Sequence, residues 1–194
     1  MTTRLWLVRH APTHAKAAIG WTDIPADVSD TAAMARLAAM LPPDAVMVSS
    51  DLQRTCQTAA ALRPGDHLPP RPGLREMHFG DWDGRDFAAI TAADPQLARE
   101  YWSNPGDIRP PGGESWHEFH ARISTEITTL CTAHPGRDIV LVVHFGVILS
   151  ALAHATGMPA KSALGFKIDN LSLTRIDFLP EADAFVVRGV NQRF

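Results

Sequence analysis

Two arginines and two histidines stand at or shortly after the ends of strand-like runs in this sequence. Arg9 and His10 directly follow the apolar run "LWLV", and His144 directly follows "DIVLVV". Arg54 comes four residues after "AVMVSS", where a helix should begin. Because the carboxyl ends of parallel strands meet at one edge of an open α/β sheet, we expect these four side chains to share a site.

The expected ligand of this site is an anion. Like charges gathered in a cleft repel one another, and partial desolvation raises that cost. Two guanidinium groups, two imidazoles and nearby helix N-termini offer more donors than a carboxylate needs, so they match a phosphoryl group better. Any one of these residues alone would more often be structural. Their occurrence at successive strand ends favours a phosphoryl site.

Metal ligation is the alternative use of these histidines. His10 and His14 have helical spacing, but Pro12 stands between them and a strand precedes them. The segment "HEFH" at 117–120 lacks the HExxH pattern. We therefore expect no metal and no cofactor.

Four runs have the length and β-branched content of strands: residues 4–8, 45–50, 138–143 and 171–178. The first three are continuously apolar, which is typical of strands buried on both faces of a parallel sheet. Helical segments separate them. The pattern predicts an α/β fold of three layers, α/β/α, with a mostly parallel central sheet.

The rest of the chain is expected to cover or complete this sheet within one domain, residues 1–194. Residues 64–113, rich in proline and glycine, predict a helical or irregular insertion that caps the carboxyl edge of the strands. A long amphipathic helix follows, with Glu118, Arg122 and Glu126 facing water. Its apolar stripe comprises Trp116, Phe119, Ile123, Ile127 and Leu130. The C-terminus predicts a β-hairpin around the turn "PEAD".

The composition excludes several classes of protein. Of 194 residues, 45% are hydrophobic and 20% charged, as in a folded globular chain, and a net charge of -3 gives no footprint for nucleic acid or an anionic membrane. Cys56 and Cys131 stand far apart, so neither a disulfide framework nor a zinc site is indicated. Residues 139–155 are too short and too polar to span a membrane. No signal-peptide pattern opens the sequence, so we expect a cytoplasmic protein.

Four segments together resemble the signature segments of the histidine phosphatase superfamily, also called phosphoglycerate mutase-like. They are "LVRHAPT", "SSDLQRTCQTA", "LREMHFGDWDG" and "LVVHFGVI", and they occur in the family's order. "GWTDIPADVSD" also takes the place of a family loop, which assigns Trp21 and Thr22 to substrate binding. The resemblance implies phosphoryl transfer without a metal.

Roles for the strand-end residues follow from the resemblance. His10 would attack phosphorus and form a phosphohistidine. Arg9, Arg54 and His144 would bind the phosphoryl oxygens and stabilise charge in the transition state.

The same resemblance assigns a carboxyl group as proton donor. Glu76 would protonate the leaving oxygen and then activate water. Asp81, Asp83 and Glu114 stand nearby as rivals, of which Asp83 is the second choice.

The sequence departs from the family pattern at three places. Ala11 replaces a glycine, which requires a negative φ at that position, and Pro12 replaces the common acidic residue, which stiffens the loop. Lys16 stands where many members have a phosphate-binding asparagine. Phe145 replaces the glycine after the second histidine; its N–H could bind phosphate, and its ring would enter the pocket wall or the core.

The expected function is hydrolysis of a small phosphomonoester. The short chain favours this over a mutase, and the presence of both His10 and Glu76 argues against a catalytically weak phosphate-binding module. "PPGGES" resembles the alpha-ribazole phosphatases, and tryptophans 21, 82, 102 and 116 offer a wall for an aromatic base, so alpha-ribazole 5'-phosphate is a candidate substrate. The terminal hairpin could pair with a second copy in a homodimer.

Overall fold

The computed structural model describes residues 1–63 and 67–194, so the expected start of the insertion, at about residue 64, lies outside the described residues. The strands are β1 Thr3–Arg9, β2 Val46–Ser49, β3 Asp138–Val143, β4 Leu173–Leu179 and β5 Ala184–Gln192. The α-helices in the described part are α1 Thr31–Met40, α2 Gln53–Leu62, α3 Phe87–Ala93, α4 Pro95–Ser103, α5 Trp116–Ala133, α6 Phe145–Thr156 and α7 Ala160–Ala163.

The strands form one sheet in the order β2-β3-β1-β4-β5. β1 and β2 both pair with β3 in parallel, whereas β4 pairs antiparallel with β1 and with β5. The prediction of a mostly parallel sheet is therefore only partly confirmed, since two of the four strand pairings are antiparallel. The predicted hairpin accounts for one of them, β4 with β5: a short 3-10 turn, Pro180–Ala182, and Asp183 in the left-handed conformation reverse the chain after β4. The other arises because β4 enters the sheet beside β1 in the opposite direction.

Helices cover both faces of the sheet, as the three-layer prediction requires. Alternate residues of the continuously apolar strands point to opposite faces. Leu7 of β1 joins the core cluster that contains α5 and α6. Its neighbour Val8 joins the cluster that contains Met34 and Leu37 of α1. The carboxyl ends of β1, β2 and β3 thus open on the same edge between two packed layers.

The long helix α5 buries the predicted apolar stripe. Ser115 and Glu118 form a capping box at its start. The prediction that Arg122 and Glu126 face water is wrong: their side chains are only 20% and 19% exposed, because the loop that carries residues 71–76 lies over this side of the helix.

The segment 139–155 is divided between β3, the single residue His144 and helix α6. Within the described ranges, no helix combines the length and apolar character that a membrane crossing needs.

Candidate active site

His10 lies at the carboxyl end of β1 and is 7% exposed. Its backbone N–H donates to the carbonyl of Val143 at 2.9 Å, and the Asn170 side chain donates to its carbonyl at 2.8 Å. The ring nitrogen Nδ1 lies 2.7 Å from the carbonyl oxygen of Ala11. Because a carbonyl oxygen only accepts, we assign the proton to Nδ1, which leaves a free lone pair on Nε2.

The imidazole of His10 is neutral at neutral pH. Burial lowers its pKa to about 3, and the positive charges of Arg54 and Arg9 act in the same direction, against the opposing hydrogen bond to Ala11. The residue that directly follows β1 is therefore kept neutral by its surroundings, with Nε2 available as a nucleophile.

His144 follows β3, and its ring centroid lies 5.3 Å from that of His10. Its Nδ1 accepts a hydrogen bond from Nε of Arg54 at 3.2 Å, so its proton lies on Nε2, which donates to the Ser50 hydroxyl at 2.8 Å. Burial and the Arg54 charge lower the pKa of His144 well below its ordinary value. Both imidazoles are thus neutral, and the positive charge of the site comes from arginines.

Arg54, in the first turn of α2, is buried and held by a loop. Its Nη1 donates to the carbonyl of Thr22 at 3.0 Å and its Nη2 to that of Gly20 at 2.6 Å. The carboxylate of Asp83 accepts hydrogen bonds from three backbone N–H groups of this loop, those of Gly20 at 2.9 Å, Trp21 at 2.7 Å and Thr22 at 2.9 Å. Asp83 therefore orients the loop that orients Arg54.

The other arginine, Arg9, points from the end of β1. Its Nη1 donates to the carbonyl of Ile168 at 2.6 Å, and its guanidinium carbon lies 5.4 Å from the centre of the Phe145 ring. Its Nε is buried and has no partner among the described residues. The guanidinium thus keeps unused donors in the site.

Glu76 is buried, and both oxygens of its carboxyl group face backbone N–H groups. Oε1 accepts from Met77 at 3.0 Å and Oε2 from Gly146, in the first turn of α6, at 3.0 Å. Burial raises the pKa of Glu76, although these bonds and the nearby charges of Arg54 and Arg9 act in the opposite direction. A Cβ at position 146 would clash with Oε1, so this close approach favours glycine.

Arg122 fixes the loop that carries Glu76. It donates to both oxygens of Glu114, at 2.8 and 2.7 Å, so Glu114 is occupied by an ion pair. The same guanidinium donates to three loop carbonyls, those of Gly73, Arg75 and Glu76. Sequence reasoning missed this function of Arg122, although one signal existed: it lies three residues after Phe119 and beside Ile123, at the margin of the apolar stripe.

Trp21 and Thr22, which the sequence predicts to bind substrate, both contact the residues that support the site. The indole N–H of Trp21 donates to the carbonyl of Glu76 at 2.8 Å, and the Arg75 guanidinium lies 4.8 Å from the centre of its ring. Thr22 contributes its carbonyl to Arg54. Trp21 thus supports the backbone at Glu76, and Thr22 supports the guanidinium of Arg54.

Donor atoms for a metal do not cluster here. Throughout residues 1–63 and 67–194, no group of three or more His, Cys, Asp or Glu side chains is placed to hold one ion.

Residues 5–192 match the family model described as histidine phosphatase superfamily (branch 1). The chain belongs to this superfamily. It is similar to the adenosylcobalamin/alpha-ribazole phosphatase of Salmonella typhimurium, 30% identical with 90% of each chain covered. A glucosyl-3-phosphoglycerate phosphatase of Mycolicibacterium vanbaalenii is 37% identical over 59% of this chain and 54% of its own. A putative alpha-ribazole-5'-P phosphatase structure from Escherichia coli covers 98% of this chain and 97% of its own, with a TM-score of 0.85 and 27% identity.

Membership confirms the predicted family and the predicted type of enzyme, a histidine phosphatase. The loop behind His10 accommodates its departures from the family pattern. Ala11 has no positive φ, and its N–H donates to the Thr58 hydroxyl at 2.9 Å, so the alanine fits. Lys16 is exposed, and its ammonium contacts no polar group of the described residues within hydrogen-bond distance.

The third departure, Phe145, changes the wall of a cleft beside Glu76. Phe145 lines this cleft together with residues of α4 and α6 and with Leu164, which directly follows α7. The lining residues include Phe79, Tyr101, Trp102, Ile108, Leu149 and Leu164. In this histidine phosphatase the replacement of glycine thus adds apolar surface next to the carboxyl group.

Proposed function

We propose that this histidine phosphatase hydrolyses a small phosphomonoester through a phosphohistidine on His10. The observation that carries the proposal is the state of His10: a buried, neutral imidazole with its proton on Nδ1 and its Nε2 free, beside two arginines. An imidazole in this state is a nucleophile that needs no prior deprotonation.

In the first step, Nε2 of His10 attacks phosphorus and the bond from phosphorus to the substrate oxygen breaks. Glu76, whose raised pKa lets it carry a proton, transfers that proton to the leaving oxygen, so a neutral alcohol departs. The phosphoryl group remains on His10.

In the second step, Glu76 is a carboxylate and removes a proton from water. The water oxygen attacks phosphorus and the bond from phosphorus to Nε2 breaks, which releases inorganic phosphate. His10 is again neutral and Glu76 again protonated, so the cycle closes.

Arg9 and Arg54 supply the positive charge for both steps. Their carbonyl partners hold the guanidinium groups before substrate arrives, so little reorganisation is needed during the reaction. His144 contributes through its bond to Arg54 and its short distance to His10. We propose that these side chains replace the metal ion that other phosphoryl transfer enzymes use.

The proposed substrate is alpha-ribazole 5'-phosphate. The support is the similarity over 90% of the chain to a protein named for this activity, together with the apolar cleft beside Glu76, which suits an aromatic base.

The mechanism is tested by brief incubation with substrate labelled in its phosphoryl group. Label that remains on the protein and is released by acid indicates the phosphohistidine. The wild type should retain label in the presence of EDTA, and His10→Ala should retain none and lose at least about 1,000-fold in kcat. His117→Gln, at an exposed histidine, is the matched control and should behave as the wild type. Full activity in His10→Ala, or phosphate transfer to 3-phosphoglycerate faster than phosphate release, would overturn the assignment.

A further inference from the structure

An apolar cleft lies beside Glu76. We propose that this cleft binds the alcohol part of the substrate and selects uncharged alcohols with an apolar aromatic body over alcohols that carry a carboxylate. The proposal rests on the proposed function, because it assumes that the leaving oxygen receives its proton from Glu76.

The position of Glu76 connects the cleft to the chemistry. Glu76 and Gly146, which are joined by a hydrogen bond, both belong to the wall of the cleft. A leaving oxygen within hydrogen-bond distance of the Glu76 carboxyl group therefore has the rest of its alcohol at the mouth of this cleft or inside it.

The cleft offers a carboxylate no cationic partner. Among the described residues that line it there is no Lys, Arg or His, and Glu76 is the one acidic side chain. The Tyr101 hydroxyl already donates to the sulfur of Met77, and burial raises its pKa, so it stays neutral. A substrate carboxylate would lose its hydration here, and no cation of the lining would compensate for that loss.

Arg9 and Arg109 lie beside lining residues, but their guanidinium groups act elsewhere. Arg9 lies over the ring of Phe145, and that ring also lines the cleft, so apolar surface stands where the family pattern has a glycine. Arg109 follows Ile108 in the sequence but forms an ion pair with Glu118 at 3.0 Å. Neither guanidinium belongs to the lining.

The aromatic side chains of the cleft are arranged to receive a ring. Trp102 is 42% exposed and Leu164 37% exposed, although both are large and apolar. Trp102 contacts Tyr101 edge to face, with ring centroids 4.7 Å apart, and lies 6.4 Å from Phe79. An apolar alcohol that covers this surface would remove it from water, which favours binding.

The test compares two substrates that differ in one group, 2-naphthyl phosphate and 6-carboxy-2-naphthyl phosphate. We expect kcat/KM to be on the order of 100-fold higher for 2-naphthyl phosphate, because the carboxylate of the other ester would lie unpaired in the cleft. Leu164→Arg adds a cation to the lining and should reduce this preference by about tenfold or more. Leu164→Gln, of similar size and without charge, should keep it. Met40→Ala, at an exposed methionine of α1, is the control outside the cleft and should leave both rates unchanged.

Exchange of ¹⁸O from water into inorganic phosphate separates the possible failures, because it needs the phosphoryl site and no alcohol. Exchange together with the expected preference supports the proposal. Exchange together with equal kcat/KM for the two esters, or a preference that Leu164→Arg leaves intact, overturns it while the proposed function stands. Loss of exchange in the wild type overturns both.

Discussion

Replacement of Asp83 by Asn tests whether this carboxylate positions Arg54 or serves as the proton donor. Asp83 accepts three backbone hydrogen bonds with its two oxygens. An Asn side chain has one acceptor oxygen and one NH2 group, which only donates. Either the Gly20 N–H or the N–H groups of Trp21 and Thr22 must therefore face the NH2 group. At least one hydrogen bond is lost, and the remaining ones have a neutral acceptor in place of a carboxylate.

A hydrogen bond to a charged group contributes about 1.5–3 kcal/mol, so we expect Asp83→Asn to lower the free energy of unfolding by about 2–3 kcal/mol. The loosened loop carries the carbonyls of Gly20 and Thr22, which hold Arg54. A guanidinium misplaced by about 1 Å can lower the rate by about 100-fold. The loss should be similar for p-nitrophenyl phosphate and for an alkyl phosphate, because Arg54 acts on the phosphoryl group in both cases.

Urea unfolding and steady-state kinetics with both esters measure these effects, and Glu76→Gln is the matched comparison. Glu76→Gln should impair the alkyl ester far more than p-nitrophenyl phosphate in the phosphorylation step, because p-nitrophenolate departs without a proton. If Asp83→Asn instead spared p-nitrophenyl phosphate and left the free energy of unfolding unchanged, Asp83 would be the acid and our reasoning about the loop would be wrong.

Three further outcomes are expected. For an alkyl phosphate, kcat/KM of the wild type should fall tenfold per pH unit above the raised pKa of Glu76, because the acid must be protonated, and the pH profile of Glu76→Gln should lack this limb. Gly146→Ala should lower the free energy of unfolding by about 1–3 kcal/mol in urea denaturation through its clash with Glu76, whereas Gly106→Ala, whose Cβ has room, should not. Arg122→Leu should lower the free energy of unfolding by about 3–5 kcal/mol because it leaves Glu114 unpaired; a change below 1 kcal/mol would show that the ion pair does not hold the loop.

The strands and helices that position the site residues were largely predictable, because the sequence patterns that indicate them are local. Continuous apolar runs predicted β1, β2 and β3, and the order of apolar residues predicted the buried stripe of α5. The share of antiparallel pairing was not predictable in the same way. The turn after β4 was visible in the sequence, but the strand beside which β4 lies depends on how the whole sheet assembles.

The choice among the acidic residues shows the limit of sequence reasoning. Glu76 and Asp83 lie within the same signature segment and Glu114 follows it in the chain, but all three are ordinary carboxylates in isolation. They differ in their contacts: Asp83 holds a loop and Glu114 pairs with Arg122, whereas Glu76 is buried against N–H groups. The role of Glu76 as proton donor stays a prediction, and these contacts give its physical reason.

The sequence by itself determined the family, the α/β architecture and the chain positions of Arg9, His10, Arg54 and His144, because strand patterns and signature residues lie within short segments. Only the tertiary structure decided the proton position on His10, the raised pKa of Glu76 and the supporting function of Arg122. Each depends on burial or on contacts between residues far apart in the chain, such as Glu76 and Gly146, whose numbers differ by 70. Desolvation and hydrogen bonding set these properties, and both exist only once the chain has folded.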